Sequence, residues 1–408
     1  MQRFIVDSAT VEQSGRGVLS EYVDAFALAF QEQGYAKGTA CTHLRLLIDF
    51  SRWVEQGGLG VHDVGPAVWK SYLHSRHQRY QPRKDEDCVF RRLLKLIEPR
   101  SPQHVGAGLT AIQCAVLEFQ CYLEQERGLS AATVANYSPF IEQFLDQRFD
   151  PNGVDLGQLC PTDVIAFVQR HARSLSPVRA KLLVTALRTF LRYLRFRGAI
   201  GTDLAACVPT VANWSLSGVP KFLPANEVQR VLDHCDRQTP HGRRDYAILL
   251  LLARLGLRAG EIVALTLDDI DWDTGLLTIR GKRKSWAQLP LPAEVGGAIV
   301  EYLREGRPAS TSRRLFLRQK APLVGFANSI AICSLVERAL TRAGVVSVRK
   351  GAHLFRHGLA TAMLNGGASL VEIGQLLRHQ HPDTTAIYAK VNLPALRPLA
   401  LPWPGGVQ

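Results

Sequence analysis

The stretch LTLDDIDWDTGLLTIRGKRKSWAQLPLP, residues 265–292, breaks an otherwise helical pattern and reads as three short strands. Turn residues cluster at Asp273 to Gly275 and at Gly281 to Ser285, the punctuation expected between antiparallel strands. Upstream, PANEVQRVLDHC (224–235) and RRDYAILLLLARLG (243–256) carry helical periodicity, and the chain is helical again from 326. A small sheet set among helices is therefore expected in the second half of the chain.

Working further outward, CVPTVANWSLSGVPKFLP (207–224) loses periodicity and gathers Pro, Ser and Gly, as an interdomain linker does. Before it, PTDVIAFVQRHA (161–172) and SPVRAKLLVTALRTFLRYLRFRG (176–198) read as helices. In the second of these, Leu183, Leu187, Phe190, Leu191 and Leu194 form an apolar stripe. Arg179, Lys181, Arg188, Arg192, Arg195 and Arg197 stay polar, either as a solvated face or as phosphate contacts. Residues 20–54 are helical too, and GYAKGTACTHLRLLIDF from Gly34 aligns with GLSAATVANYSPFIEQF from Gly128 at an offset of 94, pairing Thr39 with Thr133 and Phe50 with Phe144. The match suggests two small helical bundles ahead of the strand-bearing region. PALRPLALPWPGGVQ (394–408) is Pro-rich, a composition from which an extended segment is expected, either a contact for a neighbouring subunit or a frayed terminus.

A length of 408 residues exceeds one ordinary core, and at roughly 100 to 200 residues per domain three domains are expected. Lys and Arg number 49 against 36 Asp and Glu, for a net charge of +13, which favours a polyanionic partner, nucleic acid first. The first twenty residues lack a signal-peptide core, and YAILLLLARLGL (246–257) falls short of the ~18 apolar residues of a membrane span. Eight cysteines with no CxxC pair indicate neither a zinc site nor a disulfide framework, so a cytoplasmic protein with reduced thiols is expected.

GxxxxGK[ST], HExxH and GxGxxG are all absent, so nucleotide-driven and zinc-driven chemistry lose support and no cofactor is expected. What remains in the last 150 or so residues is a set of cations, imidazoles and one phenol: Arg258, Lys282, His353, Arg356, His379 and Tyr388. In AHLFRHGLATAML, His353 lies three residues before Arg356 and four before His357, spacings that share a helix face and suit gripping two oxygens of one phosphate. In SLVEIGQLLRHQHPDTTAIYAKV, one helix ends near Arg378 and His379. Another starts at the Asp383-Thr384-Thr385 cap signals after Pro382 and carries Tyr388 in its second turn. Taken alone, Tyr388 reads equally as a half-buried anchor of a helix pair.

Together these motifs resemble the tyrosine recombinases, the phage integrase family that includes Xer-type and Cre-type enzymes. The resemblance runs over roughly 106 to 393 and is strongest after 223. It identifies Arg258 as the arginine of an LRxxE turn (Leu257 to Glu261), Lys282 as the hairpin lysine, His353 and Arg356 as the HxxR box, His379 as the later histidine, and Tyr388, nine residues on, as the tyrosine. Three departures stand out: Arg378 replaces a usual glycine, Phe355 a usual leucine, and GKRK a usual GKG. Lys284 therefore competes with Lys282, and His381 is a rival to His379.

The resemblance implies a mainly α fold, with an extra N-terminal helical region at 1–105 that is a second DNA-binding bundle or a protein contact surface. A core-binding helical bundle follows at 106–207, a linker at 208–222, and a mixed α/β catalytic domain with a small three-stranded antiparallel sheet at 223–393. The implied activity is site-specific recombination of double-stranded DNA through a 3′-phosphotyrosyl intermediate, without metal or ATP, by a homotetramer on two sites; accessory recombination proteins are left open, no membrane is involved, and the location is cytoplasmic and nucleoid-associated. Tyr388 would attack, Arg258 and Arg356 would hold the nonbridging oxygens, His379 would donate to the same phosphate, His353 would help move the phenolic proton, and Lys282 would protonate the leaving oxygen. Mobile-element integration or transposition fits this chemistry. Type IB topoisomerase-like relaxation and a catalytically silent architectural DNA-binding protein are the competing readings.

Overall fold

The computed structural model describes residues 17–83, 85–97, 110–150, 153–212, 221–281, 286–347 and 350–391. Lys282, Lys284, most of the expected linker and the Pro-rich tail lie outside the described residues. The chain folds as two compact units, 102–217 and the pairing of 1–101 with 218–408.

In the unit 102–217, four helices enclose one core: α5 (Ala111–Cys121), α6 (Ala131–Arg148), α7 (Pro161–Ala172) and α8 (Pro177–Phe196). Their starts follow capping chemistry. The side chains of Thr110, Ser130 and Ser176 accept from backbone N–H groups three residues on, and Pro161 and Pro177 occupy first helical positions where no N–H is needed. The α8 stripe Leu183, Leu187, Phe190, Leu191 and Leu194 is buried as its spacing requires, while Lys181, Arg192, Arg195 and Arg197 are exposed.

The other unit holds two separate main cores. One belongs to α1 (Ser20–Glu32), α2 (Lys37–Gln56), α3 (Pro66–His77) and α4 (Glu86–Ile97), whose centre is aromatic, with Trp69 stacked on Phe90 at 4.7 Å between centroids. The offset of 94 recurs in three dimensions: α2 and α6 start 94 residues apart, each follows a glycine at positive φ (Gly34 and Gly128), and Phe50 and Phe144 are both buried. This bundle meets the loop of residues 306–328 where the Leu323 N–H donates to the Gln33 carbonyl at 2.8 Å.

The second core is built on α10 (Pro240–Arg254), whose Leu249, Leu250, Leu251 and Leu252 are all buried. Around it pack α9 (Ala225–Asp233), α12 (Ala293–Glu305) and α14 (His353–Asn365), and α13 (Ser329–Arg342) completes the same core against α9, which is why a run apolar on every side ended up as a helix in the middle of a domain. The 265–292 stretch forms β1 (Ile270–Asp271), β2 (Leu276–Arg280) and β3 (Trp286–Pro290), antiparallel in that order, with Leu277 opposite Leu289 and Ile279 opposite Ala287. Leu277 and Ile279 point into the core and Arg280 faces out, the period-2 alternation of a half-buried strand. The first turn closes as the Asp271 carboxylate accepts from the N–H groups of Asp273 and Thr274, and Gly275 supplies the positive φ. Among the described residues no helix is long and apolar enough to cross a membrane.

Candidate active site

Three loop-and-helix starts in the 218–408 segment meet at one place. The first is the turn after α10. Gly256 sits at φ +57, a conformation that favours glycine, and a Cβ there would lie 2.7 Å from the Leu377 side chain, which would have to move aside. Arg258 then caps the short helix α11 (Ala259–Ala264), and its own N–H donates to Glu261 Oε2 at 2.8 Å while its Nη1 donates to Glu261 Oε1 at 2.8 Å.

The second is α14. His353 opens the helix and is exposed; Arg356, one turn in, is buried, as the helix period demands of a residue turned toward α10. Arg356 donates through Nη1 to the Gly256 carbonyl at 2.5 Å and through Nη2 to the Leu377 carbonyl, which ties the arginine to the other two segments. Burial, reinforced by Arg258 and Arg378, pulls its guanidinium down to about 10, so it stays cationic at neutral pH.

The third is the segment from α15 (Leu370–Leu376) to residue 391. It bends at Arg378, which has φ +55, and continues through α16 (Pro382–Ala386), with Pro382 at the first helical position. The sequence predicts Tyr388 in the second turn of an α-helix. Instead the helix ends at Ala386 and tightens into a 3₁₀ segment over Ile387–Val391 that carries Tyr388, a common way for a helix to finish.

Tyr388 is 1% exposed and packs with Ala360, Leu364, Ile373 and Leu377. Its hydroxyl lies 2.8 Å from His357 Nδ1, and its ring lies parallel to that of His379 at 6.4 Å between centroids. Burial raises the phenol to about 12, with Arg356 and then Arg258 pulling the other way. His379 Nδ1 is 2.7 Å from Thr385 Oγ1, and burial together with Arg356 and Arg258 lowers its imidazole to about 4. His379 is therefore neutral at physiological pH.

Beside these groups opens a cavity of about 420 Å3 whose walls include Arg258, Glu261, Trp286, Arg378, His379 and His381. Of the six residues singled out in the sequence, Arg258, Arg356, His379 and Tyr388 come together, and His353 stands at the edge, its ring 6.2 Å from that of His357. Lys282 is outside the described residues; Gly281, just before it, lines the cavity. His381 lies on the cavity wall as well, but the ring stacked against the tyrosine is that of His379.

Three residues of the site were missed as partners in the sequence. His357, not His353, lies at hydrogen-bond distance from the phenol. Glu261 serves two cations at once, since its Oε2 also accepts from Arg378 Nη2 at 2.9 Å. Burial opposes its ionisation, yet Arg378 and Arg258 outweigh that and hold the carboxyl below the usual range. Arg378 is the third. The Glu of the LRxxE turn was visible, but a partner 117 residues away was not.

The phage integrase family matches residues 221–393, and the phage integrase N-terminal SAM-like domain matches 116–198. The chain is 44% identical over 412 residues to the protein named putative integrase/recombinase y4rA of Sinorhizobium fredii, covering 100% of both chains. It is 29% identical to tyrosine recombinase XerD of Listeria monocytogenes, over 67% of this chain and 93% of that one. Among solved structures, the XerH site-specific recombinase bound to a palindromic difH substrate has the same fold, with a TM-score of 0.55 at 19% identity, covering 78% of this chain and 88% of that one. With its helical bundle, three-stranded sheet and converged arginines, histidine and tyrosine, the chain belongs to the phage integrase family, the tyrosine-type site-specific DNA recombinases.

Proposed function

We propose that this protein cuts and rejoins double-stranded DNA by transient attachment to Tyr388. The observation that carries the reading is the meeting of Arg258, Arg356 and His379 around a buried phenol whose hydroxyl is 2.8 Å from an imidazole. Charge supports it: residues 218–408 hold 25 Lys and Arg against 15 Asp and Glu, most of the excess in the chain. The partner's phosphates would dominate affinity and make binding fall steeply with salt.

In this reading the Tyr388 oxygen bonds to phosphorus as the bond to the 5′-oxygen breaks. A phenol raised to about 12 is almost wholly protonated at neutral pH, so a base has to take its proton. His357 Nδ1, when unprotonated, accepts from the hydroxyl and is placed for that task; His353 is its neighbour on the same helix. Arg258 and Arg356 stabilise the charge that develops on the nonbridging oxygens, and the neutral His379 donates a hydrogen bond to the same phosphate. Lys282 protonates the departing 5′-oxygen. The phosphotyrosyl link conserves the energy of the broken bond, so a 5′-hydroxyl from a second duplex reverses the step on a new partner. Because Tyr388 is 1% exposed, the groups covering it must part, or the 387–391 segment must swing, before the oxygen reaches DNA.

Exchange between two duplexes calls for four subunits, and integration or transposition of a mobile element is the setting that this chemistry serves. Incubation with fragmented DNA followed by denaturation and sequencing of the strands attached to Tyr388 tests both activity and target. A set of reads sharing one site supports the reading. Covalent capture with no shared site, coupled to relaxation of any supercoiled plasmid, would favour a topoisomerase instead.

A further inference from the structure

The residue before His379 is an arginine in a backbone conformation that suits glycine. Arg378 is the only non-glycine at positive φ among the described residues, at the position just past α15 where its own N–H bonds the Gln375 carbonyl and the His379 N–H bonds the Gly374 carbonyl. A side chain is disfavoured there. The guanidinium is also costly to place: it is largely buried, and burial pulls it below the usual arginine range by more than Glu261, the stronger influence than the repelling Arg258, restores. Its Nη2 donates to Glu261 and its Nη1 to the Leu376 carbonyl at 3.0 Å, while its Nε–H, shielded from solvent, has no hydrogen-bond partner among the described residues. Arg378 lines the same cavity as Arg258 and His379.

The charges around the cavity do not balance. Arg258 and Arg378 on its wall share a single carboxylate, Glu261, and the buried Arg356, bonded to the Gly256 and Leu377 carbonyls close behind them, repels Arg258 and Arg378, which leaves two positive charges in excess at the site. A pentacoordinate phosphorus formed from a phosphodiester and a phenolate carries two negative charges. Without Arg378, Glu261 would neutralise Arg258 and only one positive charge would remain.

We propose that Arg378 is a third phosphate-binding arginine, which donates from Nε to a nonbridging oxygen of the phosphodiester held in this cavity while its Nη2 neutralises Glu261. The inference rests on the recombinase reading above. It accounts for a cation kept at a strained, buried position, where glycine would relieve the backbone and Arg258 would still partner Glu261.

The test uses the full chain and a nicked duplex bearing the sequence recovered on Tyr388, made with a phosphodiester or with either methylphosphonate diastereomer at the cleaved position. The rate of covalent attachment is measured in a single turnover for the wild type, Arg378→Gly and Arg378→Lys. The glycine variant suits the φ and should keep the wild-type far-UV circular dichroism. On the phosphodiester, Arg378→Gly is expected to be slower by about 100-fold, the scale for loss of one preorganised donor, with Arg378→Lys in between. On the diastereomer whose methyl replaces the oxygen facing Arg378, wild type and glycine variant should agree within about two-fold, and on the other the loss should persist. An unchanged rate in Arg378→Gly, or an equal loss on all three substrates, overturns the proposal, the latter because it marks a residue acting only through Glu261. Absence of any wild-type attachment instead defeats the recombinase reading itself.

Discussion

Replacing Glu261 by alanine removes an anion that three donors share: the Arg258 N–H, Arg258 Nη1 and Arg378 Nη2, at 2.8, 2.8 and 2.9 Å. The two cations respond differently. The Arg258 side chain is 34% exposed and can turn to water, whereas that of Arg378 is 12% exposed and keeps only the Leu376 carbonyl. At an effective dielectric of about 20, a unit pair at ~4 Å attracts by about 4 kcal/mol before desolvation is counted. Orphaning a buried charge costs about 3–5 kcal/mol in measured cases, and Glu261→Ala is expected in that range.

The sharper expectation concerns the double variant. With Glu261 gone, Arg378→Gly removes the stranded cation and relieves the positive-φ backbone, so it should restore about 1–2 kcal/mol. In the wild-type background the same change breaks an ion pair and should not stabilise. Urea unfolding of all four proteins, followed by far-UV circular dichroism at one pH and salt concentration, gives the coupling directly. Additivity within about 0.5 kcal/mol would refute the shared-carboxylate account, as would a Glu261→Ala cost below about 1 kcal/mol.

Further outcomes follow from other parts of the structure. His379 is held neutral, near 4 against an ordinary 6.5, so the unfolded chain binds more protons between those values. This contribution is complete above pH 6.5 and is lost as the pH falls toward 4; because the ring is only half-buried it should amount to about 1–2 kcal/mol, and unfolding of His379→Gln should show a correspondingly weaker acid dependence. Equal pH slopes for the two proteins would contradict it. Leu251→Ala, in the fully buried run of α10, should lower stability by about 2–5 kcal/mol, whereas a loss under about 1 kcal/mol would mean the helix is not central to its core. DNA affinity should fall linearly on a log–log plot against salt, and Lys181→Ala and Arg192→Ala, exposed on α8, should each reduce the slope by about one if they neutralise a phosphate. Unchanged slopes would assign that face to solvent.

The strand-bearing stretch was legible because alternation at Leu277 and Ile279 and turn residues at 273–275 are local signals. The buried helix at 240–254 was legible too, since four consecutive leucines admit no polar face. The site was read mainly through spacing: Tyr388 nine positions after His379, Arg356 three after His353. Spacing within a segment says nothing about which imidazole turns toward a phenol 31 residues away, so His357 was passed over for His353. Likewise, Arg378 was seen as a departure from a glycine, but its bond to Glu261 and its positive φ depend on how the turn after α15 folds against α11. The 3₁₀ ending that carries Tyr388 was also hidden, because the same residues would serve an α-helix equally well.

The central claim is that the Tyr388 oxygen becomes linked to DNA. Wild-type protein and Tyr388→Phe, which keeps the ring in its apolar setting and loses only the hydroxyl, are incubated with the same nicked duplex, denatured, digested and analysed by mass spectrometry. The account predicts a nucleotide attached through its 3′-phosphate to the peptide bearing Tyr388, a free 5′-hydroxyl on the released strand, and no adduct in Tyr388→Phe. An adduct that persists in the phenylalanine variant, or that maps to another residue, would contradict it.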